Sequence, residues 1–211
     1  MFGDLVEAIA ILVMKSAGID IEAEQESVKL QLGKNSVSGT LDVEIDGKVW
    51  DIKSASPYAF EQKFGDMGGY KKIKQDDVFG YISQGYLYSK SRDKDFGGWI
   101  VINKASGEWV VCEAPELQEE DKKEALALAE KNLNALLSGE KFKRCFTDKE
   151  ETYKDKDKNV KKTGNRVLSS ICGFCDFKRT CWPDAIMHKK VGSTARFPKS
   201  VWYSKLKKRE I

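Results

Sequence analysis

Histidine is almost absent from the sequence: His188 is the only one among 211 residues. Serine and cysteine hydrolases of the usual kind need a base, most often histidine, beside the nucleophile. His188 lies far along the chain from any nucleophile motif. The sequence therefore argues against a hydrolase of the Ser-His or Cys-His type.

Long hydrophobic runs are also missing. The longest one, Ala8–Met14, is too short to cross a bilayer. The N-terminal segment lacks the basic region and the small-residue cleavage site of a secretory signal, so we expect the protein in the cytoplasm, without a membrane partner. A hydrophobic content of 41% and a charged content of 33% indicate a soluble globular domain with room for one small added module.

Charge of one sign is not in large excess, since the formal net charge is +3. The distribution is more informative, because Lys and Arg outnumber Asp and Glu by eight to two over residues 184–211. Phe197, Trp202 and Tyr203 interrupt this basic segment, a composition that suits a phosphate backbone and stacked bases. It equally suits a merely soluble tail, so composition alone leaves nucleic-acid binding open.

The hydrophobic pattern predicts a mixed α/β core. Helices are predicted over residues 3–17, from Asp76 or Asp77 to 91, and 117–137; strands are predicted over 27–33, 36–45, 48–53, 97–103 and 107–113. The glycine-rich segment Ser54–Gln75 is predicted to be a loop or a broken helix. Thr147–Lys162 is dominated by charged residues and is predicted to be a solvated linker or a long loop. We therefore divide the chain into a core over 1–140, a linker with a cysteine module packed on the core over 141–183, and a basic tail over 184–211.

The segment around Asp46-Gly47 predicts a hairpin with a two-residue turn. Cross-strand partners then have residue numbers that sum to 93, which places Asp42 opposite Asp51 and Thr40 opposite Lys53. The two carboxylates share one face, with Cβ atoms roughly 5 Å apart. The other face is predicted to supply core residues: Leu41, Val43, Ile45, Trp50 and Ile52.

Two like charges directly opposite each other on a hairpin destabilise it. A polar face wetted by solvent is one explanation. The other is a divalent cation between Asp42 and Asp51, and oxygen ligands of this kind suit Mg²⁺ or Mn²⁺. Lys53 beside them can orient an attacking water or stabilise charge on a phosphate. The pattern therefore favours metal-assisted phosphodiester hydrolysis.

Gly39-x-x-Asp42, then Asp51-x-Lys53, then Gln84-x-x-x-Tyr88, with cysteines behind them, resembles the PD-(D/E)XK nuclease superfamily. The resemblance covers residues from about Gly3 to Pro183 and is strongest to RecB nuclease domains, lambda exonuclease and CRISPR-adaptation nucleases, especially phage-encoded members. It implies a restriction-endonuclease-like core and a Mg²⁺- or Mn²⁺-dependent DNA exonuclease of phage-recombination type, in the host cytoplasm. Linear DNA ends or single strands are the implied partners, with a recombination protein beside them.

The resemblance also implies roles for further residues. Gln84 and Tyr88, four apart on one helical face, are expected to border the active site and touch DNA. The main-chain carbonyl of Ile52 is an expected metal ligand. A third carboxylate is expected from the first helix, where Glu7 is the only polar side chain between Leu5 and Met14. Glu24 and Glu26 are rivals for that role.

Cys172-x2-Cys175-x5-Cys181 has metal-ligand spacing. Tetrahedral closure needs a fourth ligand, for which Cys145 is the first candidate and His188 the second. Cys112 is then left as a strand-core residue. The resemblance implies a structural [4Fe–4S] cluster, but those relatives have their first cysteine before the first helix, where this chain has none, so structural Zn²⁺ is the alternative.

Two other functions remain open to the sequence. One is a non-catalytic module that retains the nuclease fold and holds single strands or DNA ends for a partner. The other is a zinc-ribbon adaptor between proteins, which leaves the charged hairpin face unexplained. The complete set of Asp42, Asp51, Lys53, Gln84 and Tyr88 favours the enzyme.

Overall fold

The computed structural model describes residues 2–115, 117–139 and 143–207. The chain divides into two compact units, Met1–Ser138 and Gly139–Ile211. The predicted core boundary at residue 140 lies outside the described residues. Within the part of the chain that is described, no helix is both long enough and apolar enough to span a membrane.

The first unit is built on a five-stranded mixed sheet. Its strands and those of a separate hairpin are β1 (Ala23–Glu24), β2 (Ser27–Leu32), β3 (Asn35–Thr40), β4 (Val43–Ile45), β5 (Lys48–Ala55), β6 (Asp95–Asn103) and β7 (Trp109–Glu113). The sheet order is β1-β4-β5-β6-β7, and β2 pairs with β3 alone. Among the described strands of this unit, β5 and β6 run parallel and the other pairs are antiparallel.

Helices cover both faces of this sheet. They are α1 (Phe2–Ser16), α2 (Pro57–Ala59) continuing as a π-helix (Phe60–Phe64), α3 (Tyr70–Gln75), α4 (Tyr81–Arg92) and α5 (Glu119–Leu137). The helices between β5 and β6 provide the crossover that a parallel pair requires. On α1, Ala10 and Met14 pack with Ile52 of the sheet, whereas Phe64 of the crossover packs with Trp99. The predicted mixed α/β sheet flanked by helices is confirmed.

The hairpin turn has the backbone that Asp46-Gly47 predicts. Both residues have positive φ, 51° and 69°, as a type I′ turn requires. The pairs Val43 with Trp50, Glu44 with Val49 and Ile45 with Lys48 all have the predicted register. The turn chemistry therefore determined the register correctly.

The predicted strand over 36–45 is in fact two strands, β3 and β4, separated at Leu41-Asp42. Thr40 pairs with Ser27 in the β2–β3 hairpin, so the predicted pairing of Thr40 with Lys53 is wrong. Leu41 packs with Val28 and Val49 rather than with Val43 and Ile52. The change of direction has a tertiary cause, because the chain leaves one sheet here and enters another.

The second unit contains a four-stranded antiparallel sheet. Its strands are β8 (Lys149–Lys154), β9 (Val160–Val167), β10 (Ile186–Lys189) and β11 (Ser200–Lys205), in the order β10-β11-β9-β8. The predicted solvated linker over 147–162 is therefore wrong, since it contains β8 and the start of β9. Likewise, the predicted basic tail supplies β10 and β11. Lys208 and Arg209 of that tail lie outside the described residues.

A buried carboxylate explains why hydrophobicity did not reveal β8. Glu151 is 2% exposed. It accepts hydrogen bonds from the hydroxyl of Tyr203 at 2.7 Å, from Nδ2 of Asn165 at 2.9 Å and from the amide of Gly192 at 2.9 Å. Burial raises the pKa of Tyr203 to about 12, and the Glu151 carboxylate adds to that shift. Because Tyr203 is fully buried, it is not available to stack on a base, as its place in the basic segment had suggested.

Candidate active site

Asp42 lies in the break between β3 and β4, where the ladder with β5 has already ended. Its Oδ2 accepts a hydrogen bond from the amide of Ile52 at 2.6 Å. The Asp42 side chain thus accepts the hydrogen bond from the Ile52 amide that a carbonyl of a neighbouring strand would otherwise accept. The N–H and C=O of one residue in a strand point to the same edge, so the carbonyl of Ile52 is expected to face the gap beside Asp42.

Asp51 and Lys53 are two residues apart on β5 and therefore share a face of the sheet. Lys53 Nζ donates to Asp51 Oδ1 at 2.7 Å and lies 3.4 Å from Gln84 Oε1. Gln84 Nε2 in turn lies 3.4 Å from the hydroxyl of Tyr88. The structure thus joins four predicted site residues in one row of hydrogen bonds, which we call the β5–α4 row.

The start of α4, which carries Gln84 and Tyr88, is held by a carboxylate. Asp77 accepts hydrogen bonds from the amides of Tyr81 and Ile82 at 2.8 and 2.9 Å. These bonds satisfy amides that have no partner within the helix. The sequence had named Asp76 or Asp77 as the N-cap, but the helix begins at Tyr81 and its N-cap position is held by Gly80. Asp77 binds the first two amides from outside the cap.

The two aspartates are in an unusual electrostatic environment. Burial raises the pKa of Asp51 to about 7, and the Asp42 and Glu7 carboxylates add to the shift while Lys53 opposes it. Burial also raises the pKa of Asp42, against the Ile52 amide and the Lys53 charge. Burial alone would lower the pKa of Lys53, but the neighbouring Asp51 and Asp42 raise it overall. Lys53 therefore stays charged beside two carboxyls whose pKa values are raised.

One oxygen of this site lacks a partner. Asp51 Oδ2 is buried and accepts no hydrogen bond. A buried acceptor without a donor costs about 1–3 kcal/mol, and more when it is charged. A divalent cation would satisfy it, and Mg²⁺ is commonly held by one or two carboxylates together with waters and substrate phosphates. The carboxylate pair of Asp42 and Asp51 fits such an ion by its chemistry.

A larger preformed metal site is not present among residues 2–115, 117–139 and 143–207. Within them, no group of three or more His, Cys, Asp or Glu side chains could hold a metal ion. The full predicted set of Glu7, Asp42, Asp51 and the Ile52 carbonyl thus remains a prediction.

Glu7 faces the same cluster from α1. Burial raises its pKa, the Asp42 charge raises it further, and Lys53 lowers it. Its rivals form ion pairs: Glu24 Oε1 lies 2.5 Å from Lys15 Nζ, while its Oε2 is buried without a hydrogen-bond partner, and Glu26 lies 3.0 Å from Arg92. Glu7 is therefore the acidic side chain that the helix brings within electrostatic range of the site.

We expect Glu7→Gln to weaken Mn²⁺ binding and to slow metal-dependent hydrolysis by roughly 10- to 100-fold, the range found for residues that support a metal site. The change removes a charge but keeps the shape of the side chain. Calorimetric titration of each purified variant with Mn²⁺ measures the affinity. Glu24→Gln is the matched control and is expected to bind Mn²⁺ like the wild type. Unchanged Mn²⁺ affinity in Glu7→Gln would remove Glu7 from the site.

Tyr81 is a site residue that sequence reasoning missed. The Nζ of Lys53 lies 5.7 Å from the centre of its ring, and that of Lys63 lies 4.7 Å from it. Cations at such distances are attracted by an aromatic face. The available signal was its spacing, since Tyr81 precedes Gln84 by three residues on the same helical face.

The sequence also gave no sign of an ion-pair cluster around a buried carboxylate that stabilises β4, the strand next to Asp42. It consists of Glu44, Arg92 and Lys94. Glu44 is 1% exposed, forms an ion pair with Arg92 and lies 2.6 Å from Lys94. Burial would raise the pKa of Glu44, but the two cations hold it below its ordinary value. Because a buried charge is tolerated only when it is paired, these ion pairs secure β4 next to Asp42.

In the second unit, three cysteines act electrostatically on a fourth, Cys172. Cys172 is buried in a 3₁₀ turn (Ser170–Gly173), and Cys181 ends α6 (Lys178–Cys181). Burial raises the pKa of Cys172, and the thiols of Cys175, Cys181 and Cys145 raise it further. His188 is exposed on β10, with its Nδ1 2.8 Å from the Lys189 carbonyl. Cys145 thus acts on the Cys172 thiol, whereas His188 is bonded to a main-chain carbonyl. The choice of a fourth ligand stays a prediction, and four thiols would fit zinc or an iron–sulfur cluster by donor type.

The cysteines do not form a preformed metal site, because among the described residues no group of three or more His, Cys, Asp or Glu side chains could hold a metal ion. Their role as metal ligands stays a prediction. Cys112, by contrast, is buried among Phe96 and Trp99 in the first unit, and burial raises its pKa to about 11. Its prediction as a strand-core residue is confirmed.

No family model matches the chain, and no curated protein matches it. Among solved structures, it is similar to the crystal structure of a protein from Eubacterium rectale named "Putative exonuclease", with 17% sequence identity and a TM-score of 0.36. The similarity covers 55% of this chain and 44% of that one, so the chain matches less than half of that protein's length. A similarity this distant transfers neither residue roles nor an activity.

Proposed function

We propose that this protein is a Mg²⁺- or Mn²⁺-dependent deoxyribonuclease that hydrolyses phosphodiester bonds from DNA ends, as an exonuclease of phage-recombination type. The observation that carries the proposal is the Asp51 carboxylate, which is buried with one unpartnered oxygen beside Asp42 and opens the β5–α4 row. A central parallel pair of strands under helices on both faces supports a restriction-endonuclease-like core. We also propose a partner, a recombination protein that binds the single DNA strand left by the exonuclease.

Each residue of the row has a chemical task in this proposal. Asp42, Asp51 and the Ile52 carbonyl would hold the cation, which supplies Lewis-acid activation of the scissile phosphate and of a water when bound. Lys53 keeps its proton because two carboxyls surround it, so its ammonium can stabilise negative charge on the phosphate. Gln84 lies 3.4 Å from that ammonium and holds it towards α4, while Tyr88 supports Gln84.

The proposed function is tested with end-labelled linear DNA and closed circular DNA, each with Mg²⁺, with Mn²⁺ and with EDTA. We expect the linear DNA to be degraded from its ends only when a metal is present, and the circle to remain intact. Absence of cleavage with both metals, in protein that is folded by circular dichroism, would overturn the proposal.

A second function, a non-catalytic module that holds DNA ends or single strands, is favoured by one observation. The described residues contain no preformed group of three metal-binding side chains. Such a module would retard linear DNA in a gel-shift assay without hydrolysing it in either metal. The same incubations therefore distinguish the two functions.

For the second unit, we propose a structural metal held by Cys145, Cys172, Cys175 and Cys181, either as a [4Fe–4S] cluster or as Zn²⁺. The thiols of Cys175, Cys181 and Cys145, which each raise the pKa of Cys172, support it. Metal binding to such a cluster contributes directly to the stability of the fold around it.

We expect Cys172→Ser to release the metal and to expose residues 139–211 to proteolysis, because a closed ligand set has lost one member. Elemental analysis and the visible spectrum of protein prepared without oxygen measure the metal: iron with a brown absorbance for a cluster, or colourless zinc. Cys112→Ala is the control, and it should keep the metal because that thiol lies in the other unit. Wild-type protein with neither iron nor zinc would contradict the expectation.

A further inference from the structure

A cavity of about 340 Å³ lies directly beside the β5–α4 row. Its walls come from the β2–β3 hairpin, α4 and α5, and include Leu30, Val37, Gln84, Leu87, Tyr88 and Ala129. None of the described residues that line it is charged. Gln84 and Tyr88 belong both to this wall and to the row that leads to Lys53. The cavity thus adjoins the charged site through Gln84 and Tyr88, and its described lining is uncharged.

Small residues leave the cavity unfilled, and one of them allows Tyr88, which lines both the cavity and the β5–α4 row, to pack closely against the hairpin. On α5 the lining positions include Ala125 and Ala129, where larger side chains would enter the cavity. On β3, a Cβ added at Gly39 would lie only 2.7 Å from Cε1 of Tyr88. Glycine at this position therefore lets the Tyr88 ring pack closely against the hairpin. Gly39 of the Gly39-x-x-Asp42 motif therefore positions Tyr88 and, through Tyr88, the β5–α4 row.

We infer that the cavity receives an unpaired nucleobase of the DNA strand whose phosphate is bound at Lys53. The inference rests on the proposed function for the identity of the ligand. It defines the substrate class further: a single strand or a frayed end, because a base that is still paired in a duplex cannot enter the cavity without leaving its partner.

Three properties of the cavity point to a base rather than to another part of the strand. The uncharged lining provides no counter-charge for a phosphate, whereas aliphatic and aromatic walls suit the flat face of a base. The volume is at the low end of small-molecule sites, about 300–1,000 Å³, and suits one ring system. The side chains of Ser83, Gln84 and Asn132 offer amide and hydroxyl groups for the polar edge of a base.

The inference is tested by binding in EDTA, where no hydrolysis occurs. Single-stranded oligonucleotides carry the fluorescent base 2-aminopurine at successive positions from the end. We expect the emission to change on binding at one position. Ala129→Phe, which fills the cavity, should abolish that change. Ala127→Phe, on the exposed side of the same helix and outside the cavity lining, is the matched control and should retain it.

A second measurement uses only the wild type, so it does not depend on the folding of a variant. Removal of the base at the sensitive position, as an abasic site, is expected to lower the rate of hydrolysis with Mg²⁺ at least fivefold, since stacking contributes about 1–3 kcal/mol per base. Normal hydrolysis without a position-specific emission change, and without an abasic effect, overturns the inference and leaves the proposed function intact. A position-specific change in EDTA that Ala129→Phe removes, without hydrolysis in any metal, supports the cavity and overturns the nuclease.

Discussion

Lys53→Ala is expected to lower the rate of DNA hydrolysis at least 1,000-fold, which corresponds to about 4 kcal/mol of transition-state stabilisation. The substitution removes the ammonium that lies 2.7 Å from Asp51 and 3.4 Å from Gln84. The developing charge on the phosphate then loses the ammonium that we propose stabilises it, and the buried aspartates lose the charge that compensates them. Release of labelled nucleotides under single-turnover conditions measures the effect. Asp51→Asn is expected to show a loss of similar size, because it removes the carboxylate that would hold the metal.

The control for this loss is Lys123→Ala, on the exposed surface of α5, which should hydrolyse DNA like the wild type. Far-UV circular dichroism and the unfolding midpoint of each variant show whether it is folded. A folded Lys53→Ala protein with at least a tenth of the wild-type rate would rule out Lys53 as a catalytic residue.

Without metal, the protein is expected to lose stability as the pH rises from about 4 to 7, and Asp51→Asn is expected to lack the part of this loss that comes from Asp51. Asp42 and Glu7, whose pKa values are also raised, keep the remainder in both proteins. The ordinary pKa of an aspartate is 3.8, and burial raises the pKa of Asp51 to about 7 in the folded chain. Below pH 4 the carboxyl is protonated in both states. Between pH 4 and 7 the unfolded chain releases the proton while the folded chain keeps it, so the free energy of unfolding falls, by at most about 4 kcal/mol.

Urea unfolding in EDTA at pH 5, 6, 7 and 8 measures this effect as the difference between Asp51→Asn and the wild type. We expect the variant to be the more stable protein at pH 8 and the difference to shrink towards pH 5. Asp66→Asn, at an exposed carboxylate, is the control and should follow the wild type at every pH. Mn²⁺ at pH 8 should raise the midpoint of the wild type and not that of Asp51→Asn, since a ligand stabilises the state that binds it. A difference that does not depend on pH would contradict the assignment.

Features set by neighbouring residues were predictable from the sequence alone. The Asp46-Gly47 turn determined the register of β4 on β5, because a type I′ turn needs two residues with positive φ and allows one pairing of the flanking strands. A spacing of two on a strand placed Asp51 and Lys53 on one face, and a spacing of four on a helix placed Gln84 and Tyr88 together. Local geometry requires no knowledge of the rest of the chain.

Other features depended on residues that are distant in sequence, and only the tertiary structure decided them. The chain bends at Leu41-Asp42 because it changes sheets, and this bend brings the Asp42 carboxylate to the Ile52 amide. Glu44 and Glu151 are buried although they are charged, because each finds its partners 12 to 52 residues away. A hydrophobic pattern treats every glutamate as a surface residue, so it predicted a linker where Glu151 anchors β8. The cavity beside Gln84 arises in the same way, from three elements that meet only when the chain is folded.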